Sequence, residues 1–382
     1  MLRDTDLKWH HYSTLDGLPP RINSVISENL AAESPPIHLA LIQDGQSTKL
    51  LFGCHHALYD GIAISTLIQE VQDTYLGIKI PPPVSYDVYL QYMLQQDYAE
   101  GDKYWATLLS GFEPALFPSL TGKDSRAQGN PASSSKCLQL PLSTIRTACQ
   151  DMSLSLLSVV HAAWAKLLHF YTGENDICFG NVVNGRNISS DDLDRIVAPC
   201  FNTLPVRIIL DPQQTNDALM RLAHSISIES LAHQLTPLRR IQSTVLREGG
   251  RLFDSLVILQ QPKTTLDSTI WTLEQDLGDM DLPIVCELVQ DPVRNTLELS
   301  LHYQTSLLSE VEARLVMETF DTCISSLLAF PGMSSSDISP LPAHLRAESN
   351  MDYEQCQTDA VLLHSGFERI AATHPDLSLI HI

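Results

Sequence analysis

Positive charge is scarce in this sequence. Its 24 lysines and arginines stand against 45 aspartates and glutamates, which gives a formal net charge of −21 over 382 residues. A chain this acidic repels phosphate backbones and anionic lipid headgroups, so nucleic acid and membrane surfaces are poor candidate partners. The sequence also lacks an uncharged run long enough to span a bilayer, and residues 1–6 contain no apolar secretory core. We therefore expect a cytoplasmic protein that binds neither nucleic acid nor a membrane.

Clustered metal ligands are missing too. The eight cysteines are widely separated, and no two of them lie at the spacing typical of zinc sites. Cys54, Cys178 and Cys286 lie inside apolar strand-like runs, where free thiols behave as small hydrophobic side chains. A Cys54 nucleophile beside His55 is disfavoured, since adjacent strand residues point to opposite sides. The simplest interpretation is a protein of the reduced cytosol without a metal site.

Segments rich in turn-forming residues divide the chain into two units, 1–118 and 137–330. Residues 119–136 and 331–361 are predicted to be linkers, because they are polar, contain proline and have few apolar side chains. The elements expected in the first unit are strands at 37–42 and 49–54 and helices at 21–31, 63–75 and 90–109. Those expected in the second unit are strands at 137–140, 177–183, 204–209, 256–259 and 297–303 and helices from 153, at 215–233 and at 310–328. Both units therefore have a mixed α/β pattern.

The most informative segment is His55-His56-Ala57-Leu58-Tyr59-Asp60-Gly61, which follows the apolar run 50–54. That run indicates a buried strand, and the apolar residues after Gly61 recur at helical spacing, so the histidines are placed on a polar turn between a strand and a helix. Histidine suits proton transfer because its ordinary pKa lies near neutral pH. Since neighbouring strand residues point to opposite sides, only one of His55 and His56 is expected to face a cavity.

The pattern HHxxxDG resembles the signature of the condensation domains of nonribosomal peptide synthetases, which are chloramphenicol-acetyltransferase-like acyltransferases. Further segments resemble motifs of that family in the family's order, namely 85–91 with 104–105, 176–186, 196–207, 233–238 and 303–309. Ala198 and Cys200 depart from the glycine and phenylalanine that are more usual there. The resemblance covers about residues 50–328. The residues of these segments are most similar to those of the fungal siderophore synthetases.

The resemblance implies an α/β (α+β) fold of two chloramphenicol-acetyltransferase-like subdomains, arranged in a V around a central tunnel with the histidine motif midway. It implies that His56 accepts the proton of an attacking amine or orients the amine, while His55 packs and forms hydrogen bonds beneath it. Asp60 is interpreted as structural, either holding the turn or capping the following helix. Gly61 is interpreted as the point where the backbone approaches a pantetheine arm, with an ordinary turn glycine as the alternative.

Three further residues are expected to bind substrate. Asn202 matches the family's Asn-Thr step and is expected to line the tunnel, although capping a strand-end turn fits it equally well. Arg186 matches a family arginine, with an internal ion pair as the alternative. Tyr303 matches the end of a family strand. No metal ligand is expected.

The two ends of the sequence carry expectations of their own. Residues 362–382 resemble the beginning of an adenylation domain. The part ahead of His55 is shorter than in the family and lacks a strand with the pattern R-H-x-x-L-R-T, whose arginine is the partner of the motif aspartate there. Asp60 is therefore expected to be unpaired, which is costly for a buried carboxylate. A chain truncated in this way is expected to give little or no condensation.

The function implied by the resemblance is amide bond formation between an aminoacyl or peptidyl thioester donor and an aminoacyl acceptor, both held on carrier proteins. The implied partners are peptidyl carrier proteins and the adenylation domain of the same synthetase. No cofactor is expected on the domain itself, since the phosphopantetheine belongs to the carriers. The alternatives are an ester-forming or cyclising enzyme of the same fold, a free-standing acyltransferase that uses coenzyme A, and a non-catalytic docking fragment.

Overall fold

The computed structural model describes residues 8–14, 18–31, 35–44, 47–122, 129–186, 193–246, 250–260, 267–273, 282–336, 339–342 and 345. Within these ranges the chain forms two separate sheets, one of three strands and one of six, with helices packed on them. The expected α/β class is confirmed. The segment expected to begin an adenylation domain, 362–382, lies outside the described residues.

The three-stranded sheet comes from the first part of the chain. Its strands are Trp9–Tyr12 (β1), Ile37–Asp44 (β2) and Ser47–Cys54 (β3). β1 runs parallel to β2, and β2 pairs with β3 as an antiparallel hairpin. The helix Leu18–Ala31 (α1) buries Ile22 and Ile26 in a small core with Ile42 of β2. The two strands predicted at 37–42 and 49–54 are confirmed, and β3 delivers the histidine motif at its end.

Three helices follow the motif. They are Gly61–Tyr75 (α2), Asp87–Leu94 (α3) and Ala99–Leu108 (α4). The expectation of one helix over 90–109 is wrong, because the chain leaves helical geometry between α3 and α4. Asp97 lies at the break, and its Oδ1 accepts the N–H of Ala99 at 3.0 Å, a local bond that competes with a continuous helix.

The six-stranded sheet has the order β4-β9-β8-β7-β5-β6. Its strands are Pro131–Cys137 (β4), Asp176–Val183 (β5), Asn202–Ile209 (β6), Ser255–Gln260 (β7), Ile284–Asp291 (β8) and Thr296–Gln304 (β9). The contacts of β7 with β5 and with β8 are parallel, and the other neighbours are antiparallel. The strands expected at 177–183, 204–209, 256–259 and 297–303 are confirmed.

The main core lies between this sheet and its helices. The helices are Leu142–Asp151 (α5), Leu156–Thr172 (α6), Asn216–Leu231 (α7), Leu238–Val245 (α8) and Glu310–Ala329 (α9). Every residue of α6 from Ser158 to Leu168 is buried, because α7, α9 and the sheet surround it. Ser155 caps the N-terminus of α6, and Gly173 ends it with a φ of 76°, a left-handed conformation that favours glycine.

The linker predicted over 119–136 is wrong for its last part. Residues 131–136 belong to β4, which pairs along its length with β9 at the edge of the sheet. An edge strand exposes one side of its backbone, so a serine-rich sequence that begins with proline can form it while having the composition of a linker. The strand predicted at 137–140 begins and ends earlier than expected for the same reason.

The boundary predicted at 118 does not match the packing of the chain. Trp105 and Leu109, from the end of α4, are fully buried in a cluster with Leu204 of β6 and Ile241 of α8. Arg207 of β6 also donates from Nη1 to two backbone carbonyls at the end of α4, at 2.8 Å each. α4 is therefore part of the body formed around the six-stranded sheet.

The second predicted linker is also partly structured. Asn216 at the start of α7 donates its N–H to the carbonyl of Met333 at 2.9 Å, and Ser335 donates to the carbonyl of Gln214 at the same distance. Residues 331–336 are thus fastened to the domain and do not form a free linker. Across the described ranges, no single helix is long and apolar enough to cross a membrane, although α5 and α6 pass that test as a pair bent by 100°.

Candidate active site

His55 shapes the turn that carries the histidine motif. β3 ends at Cys54, and residues His56–Leu58 form a single 3-10 turn. The Nδ1 atom of His55 caps this turn by accepting the N–H of Ala57 at 3.1 Å. The ring is half-buried and its Nδ1 is occupied by the backbone, which agrees with a packing role for His55.

His56 is exposed, and its ring contacts two aromatic side chains. It stacks on Tyr59 with centroids 4.7 Å apart and an interplanar angle of 18°. Phe201, which immediately precedes β6, meets it edge-on at 5.8 Å. Because Phe201 belongs to the other sheet's body, His56 lies where the two parts of the molecule meet. No role for Phe201 was predictable from the sequence, since only the fold brings it to the histidine.

Asp60 is paired, so the expectation of an unpaired carboxylate is wrong. Its two oxygens accept bidentate hydrogen bonds from Arg186 at 2.6 and 3.0 Å, and both side chains are almost completely buried. Asp60 also accepts the N–H of Cys200 at 2.8 Å and that of Ala63 at 2.8 Å, which makes it the N-cap of α2. A buried carboxylate with this many donors is satisfied and holds its turn in place. The N-cap expected of Asp60 is thus observed, while its place among the catalytic residues stays a prediction.

Arg186 is the missing partner, and the structure corrects its expected role in substrate binding. Its side chain is 1% exposed, and Nη2 also donates to the carbonyls of Ile196 and Ala198 at 3.1 and 2.9 Å. With these donors occupied inside the protein, Arg186 acts as the internal ion-pair partner that was the alternative. The sequence did not connect the two residues because 126 positions separate them.

A framework of side chains holds the segment that ends at Phe201. Tyr86 donates to the carbonyl of Pro199 at 2.8 Å, and Tyr89 donates to that of Cys200 at 2.9 Å. Burial raises the pKa of both phenols, which therefore remain donors at neutral pH. At Gly185 a Cβ atom would collide with the carbonyl oxygen of Cys200, so only glycine allows this approach. The framework fixes the backbone that places Phe201 against His56.

Asn202 fastens two loops together, in agreement with its structural alternative. Its Nδ2 donates to the carbonyls of Gln234 and Thr236 at 2.7 and 2.8 Å, and its Oδ1 accepts the N–H of Thr203 at 2.9 Å. The side chain is thus committed to the backbone at the start of β6. The predicted substrate contact of Asn202 has no support in this geometry.

Tyr303 does not join the site. It is 5% exposed in the main core, and it pairs with Ile284, which also pairs with Ser255 at the start of β7. Gly61 faces the other end of the same strand, where a Cβ added to it would lie 3.9 Å from the side chain of Gln260. Five strand residues correspond to about 17 Å. Tyr303 thus lies away from the motif, and this geometry gives no support to its expected contact with substrate. The role of Gly61 beside a pantetheine arm stays a prediction.

Two other kinds of chemistry would need a reactive thiol or a metal ion. The thiol of Cys54 is half-buried, and burial raises its pKa to about 11, so it is protonated at neutral pH and is a poor nucleophile. Within the part of the chain that the structure describes, no group of three or more histidine, cysteine or acidic side chains is arranged to hold a metal ion.

Comparison with known proteins agrees with this geometry. Residues 18–348 match the family described as "Condensation domain". The chain is 57% identical over 368 residues to nonribosomal peptide synthetase 2 of Cochliobolus heterostrophus, covering 96% of this chain and 7% of that protein. It is 28% identical over 388 residues to the hydroxamate-type ferrichrome siderophore peptide synthetase of Schizosaccharomyces pombe, covering 95% of this chain and 7% of that protein. The chain thus spans less than a tenth of the length of these relatives.

The fold is shared with solved structures. A four-domain nonribosomal peptide synthetase bound to AMP and glycine superimposes with a TM-score of 0.71 at 17% identity, covering 89% of this chain and 29% of that one. Fold and motif together define an acyltransferase-type catalytic domain. The chain belongs to the condensation domain family, whose members form peptide bonds in nonribosomal peptide biosynthesis.

Proposed function

We propose that this chain joins an aminoacyl or peptidyl thioester donor to an aminoacyl acceptor within a larger peptide synthetase. The observation that supports this most is the placement of His56, whose exposed ring contacts Tyr59 and Phe201 where the two halves of the molecule meet. A ring held in this way on a turn that His55 caps at its start and that the Asp60-capped helix α2 follows can receive a proton without first being ordered. His56 is the residue to which we assign contact with the amine.

The reaction requires little covalent help from the protein. The acceptor amine attacks the thioester carbonyl, the new carbon–nitrogen bond forms, and the carbon–sulfur bond breaks to release a thiol. The amine loses one proton, which His56 accepts or directs, and the leaving sulfur gains one. Because the thioester is already activated, positioning two tethered substrates supplies much of the rate. His55 and Asp60 keep the turn in shape through the backbone bonds described above.

The proposed partners are peptidyl carrier proteins and an adenylation domain of the same synthetase. The substrates would arrive on phosphopantetheine arms through a tunnel open at both faces, with no cofactor bound by this domain itself. The family supports carrier-bound thioesters in general. A siderophore peptide as the final product is supported by the name of the ferrichrome relative. A cytoplasmic location is proposed on composition alone.

The test is a condensation assay with donor and acceptor both loaded on carrier proteins, followed by mass spectrometry of the carrier-bound product. We expect a dipeptidyl thioester on the acceptor carrier. The same assay with a coenzyme A thioester and a free amine is expected to give far less product. Efficient use of the free substrates, or an ester product with a hydroxyl acceptor only, would overturn the proposal. Binding of loaded carriers without any product would favour a docking fragment.

A further inference from the structure

Phe201 is an aromatic residue that is 38% exposed, yet the backbone on both sides of it is held firmly. Cys200, the residue before it, donates its N–H to Asp60 at 2.8 Å, and its carbonyl accepts the hydroxyl of Tyr89 at 2.9 Å. Asn202, the residue after it, donates from its side chain to two backbone carbonyls at 2.7 and 2.8 Å. Core packing does not account for this support of an exposed ring. A side chain that positions a functional group needs such support.

The ring of His56 needs a fixed neighbour. An exposed side chain changes rotamer within nanoseconds, whereas a general base has to lie within hydrogen-bond reach of the proton that it accepts. Tyr59, which stacks on this ring, lies only three residues further along the same segment, so that contact is internal to the segment. Phe201 comes from the other half of the molecule, where its backbone is fixed independently. The Phe201 ring is therefore able to select one orientation of the imidazole.

Asp60 links the two segments that carry these rings. Its Oδ1 accepts the N–H of Ala63 and so holds the start of α2, which follows the turn with His56. Its Oδ2 accepts the N–H of the residue before Phe201. One buried carboxylate thus sets the distance between the two segments. The resulting ring contact, with centroids 5.8 Å apart and planes inclined at 71°, lies in the range that edge-to-face aromatic pairs prefer.

We propose that Phe201 is a positioning residue for His56, because its ring holds the imidazole in the orientation that receives the proton of the amine. The proposal rests on the function proposed above, since this orientation matters for turnover only if His56 acts on the amine. The contact of an aromatic pair is strong enough to shift the population of a rotamer by about three- to tenfold. The loss of the Phe201 ring should lower kcat by that factor. KM should stay constant, because Phe201 contacts the histidine and not the substrate.

The experiment compares three variants in condensation of carrier-bound substrates, at matched folded fraction. We expect Phe201→Ala to lower kcat by about three- to tenfold at constant KM. Phe201→Tyr keeps the ring and should bring kcat back to within about twofold of the wild type. The control is Phe170→Ala, because Phe170 is 39% exposed and also makes an edge-on contact, with Tyr171 at 5.2 Å. Phe170→Ala should leave kcat unchanged.

A second measurement follows the ring of His56 itself and needs no turnover. The ¹³C relaxation of its Cε1–H group reports the mobility of the ring, and the loss of the signal in His56→Ala assigns the resonance. In Phe201→Ala we expect the order parameter to fall from about 0.85, typical of a rigid group, to about 0.6 or below. Phe201→Tyr and Phe170→Ala should keep the value of the wild type.

The outcomes separate this proposal from the proposed function. An order parameter or a kcat that Phe201→Ala leaves unchanged would overturn the positioning role, and so would a loss of kcat that Phe201→Tyr does not restore. A loss that appears in KM, or that varies with the side chain of the acceptor, would assign Phe201 to the substrate and also overturn the role. A wild-type chain that gives no condensation would count against the proposed function, while the relaxation data would still decide whether Phe201 holds the ring.

Discussion

Asp60 joins the two halves of the molecule through a single carboxylate. One oxygen caps α2, and the pair of oxygens receives Arg186 and the backbone of Cys200 from the other half. Asp60 was expected to lack a partner, because the family's partner arginine lies in a strand ahead of the motif. The partner instead comes from the turn after β5, and its identity depends on the fold. An unpaired Asp60 is therefore no longer a reason to expect an inactive chain.

Asp60→Asn is expected to lower the free energy of unfolding by about 3–5 kcal/mol, because it leaves the buried guanidinium of Arg186 without its counter-charge. Urea unfolding followed by circular dichroism measures this. The control is Asp102→Asn, which breaks an ion pair with Arg240 at the surface and should change the stability far less. An equal loss of stability in both variants would mean that the buried ion pair contributes no more than the surface pair.

His161 predicts a pH dependence of stability. Its pKa is about 4 in the folded chain and 6.5 in the unfolded one, so the unfolded state binds more protons between these values. The contribution of the neutral ring is therefore present above pH 6.5 and is lost as the pH falls toward 4, by up to about 3 kcal/mol. The free energy of unfolding of the wild type, relative to that of His161→Leu, should therefore be higher at pH 7 than at pH 5. A difference between the two that does not vary with pH would contradict this assignment.

At the scale of elements, α6 is buried on all sides and carries a lysine. Lys166 is 4% exposed, and within the described ranges its Nζ has no hydrogen-bond partner. Burial lowers the pKa of Lys166, so its charged form costs folding free energy at every pH below its unfolded pKa.

Lys166→Met is therefore expected to raise the free energy of unfolding at pH 7 by on the order of 1 kcal/mol, since methionine fills similar space without the ammonium group. The matched control is Lys103→Met, on the exposed side of α4, which should have little effect. Thermal melts of both variants test this. A less stable Lys166→Met would indicate that the ammonium group is satisfied in solution.

The elements show where sequence patterns are informative. The strands at 37–42 and 177–183 were predictable, because they are central strands, which need apolar runs. Edge strand β4 was not predictable, because it pairs with β9 alone and its sequence, rich in serine, contains no apolar run. The break between α3 and α4 was not predicted either, because it depends on local bonds, such as that of Asp97, which interrupt an otherwise helical pattern.

At the scale of the whole molecule, the site is assembled from both halves. The histidine turn comes from the smaller sheet, while Phe201, Arg186 and Cys200 come from the larger body. The sequence predicted the N-cap formed by Asp60, which depends on local geometry. The role of His56 in the chemistry stays a prediction. The predicted substrate contacts of Arg186, Asn202 and Tyr303 have no support in the structure. The distances between these residues depend on the tertiary structure, which no local pattern encodes.

The central claim is that His56 acts on the amine. The most direct test is the turnover of His56→Ala in condensation of carrier-bound substrates, at matched folded fraction. The claim predicts a fall in kcat of roughly 10²-fold or more, the scale of losing a general base. His11→Ala, which removes an exposed histidine of β1, should leave kcat unchanged, and His55→Ala should mainly reduce the yield of folded protein. Normal turnover by His56→Ala would contradict the claim and leave positioning as the whole mechanism.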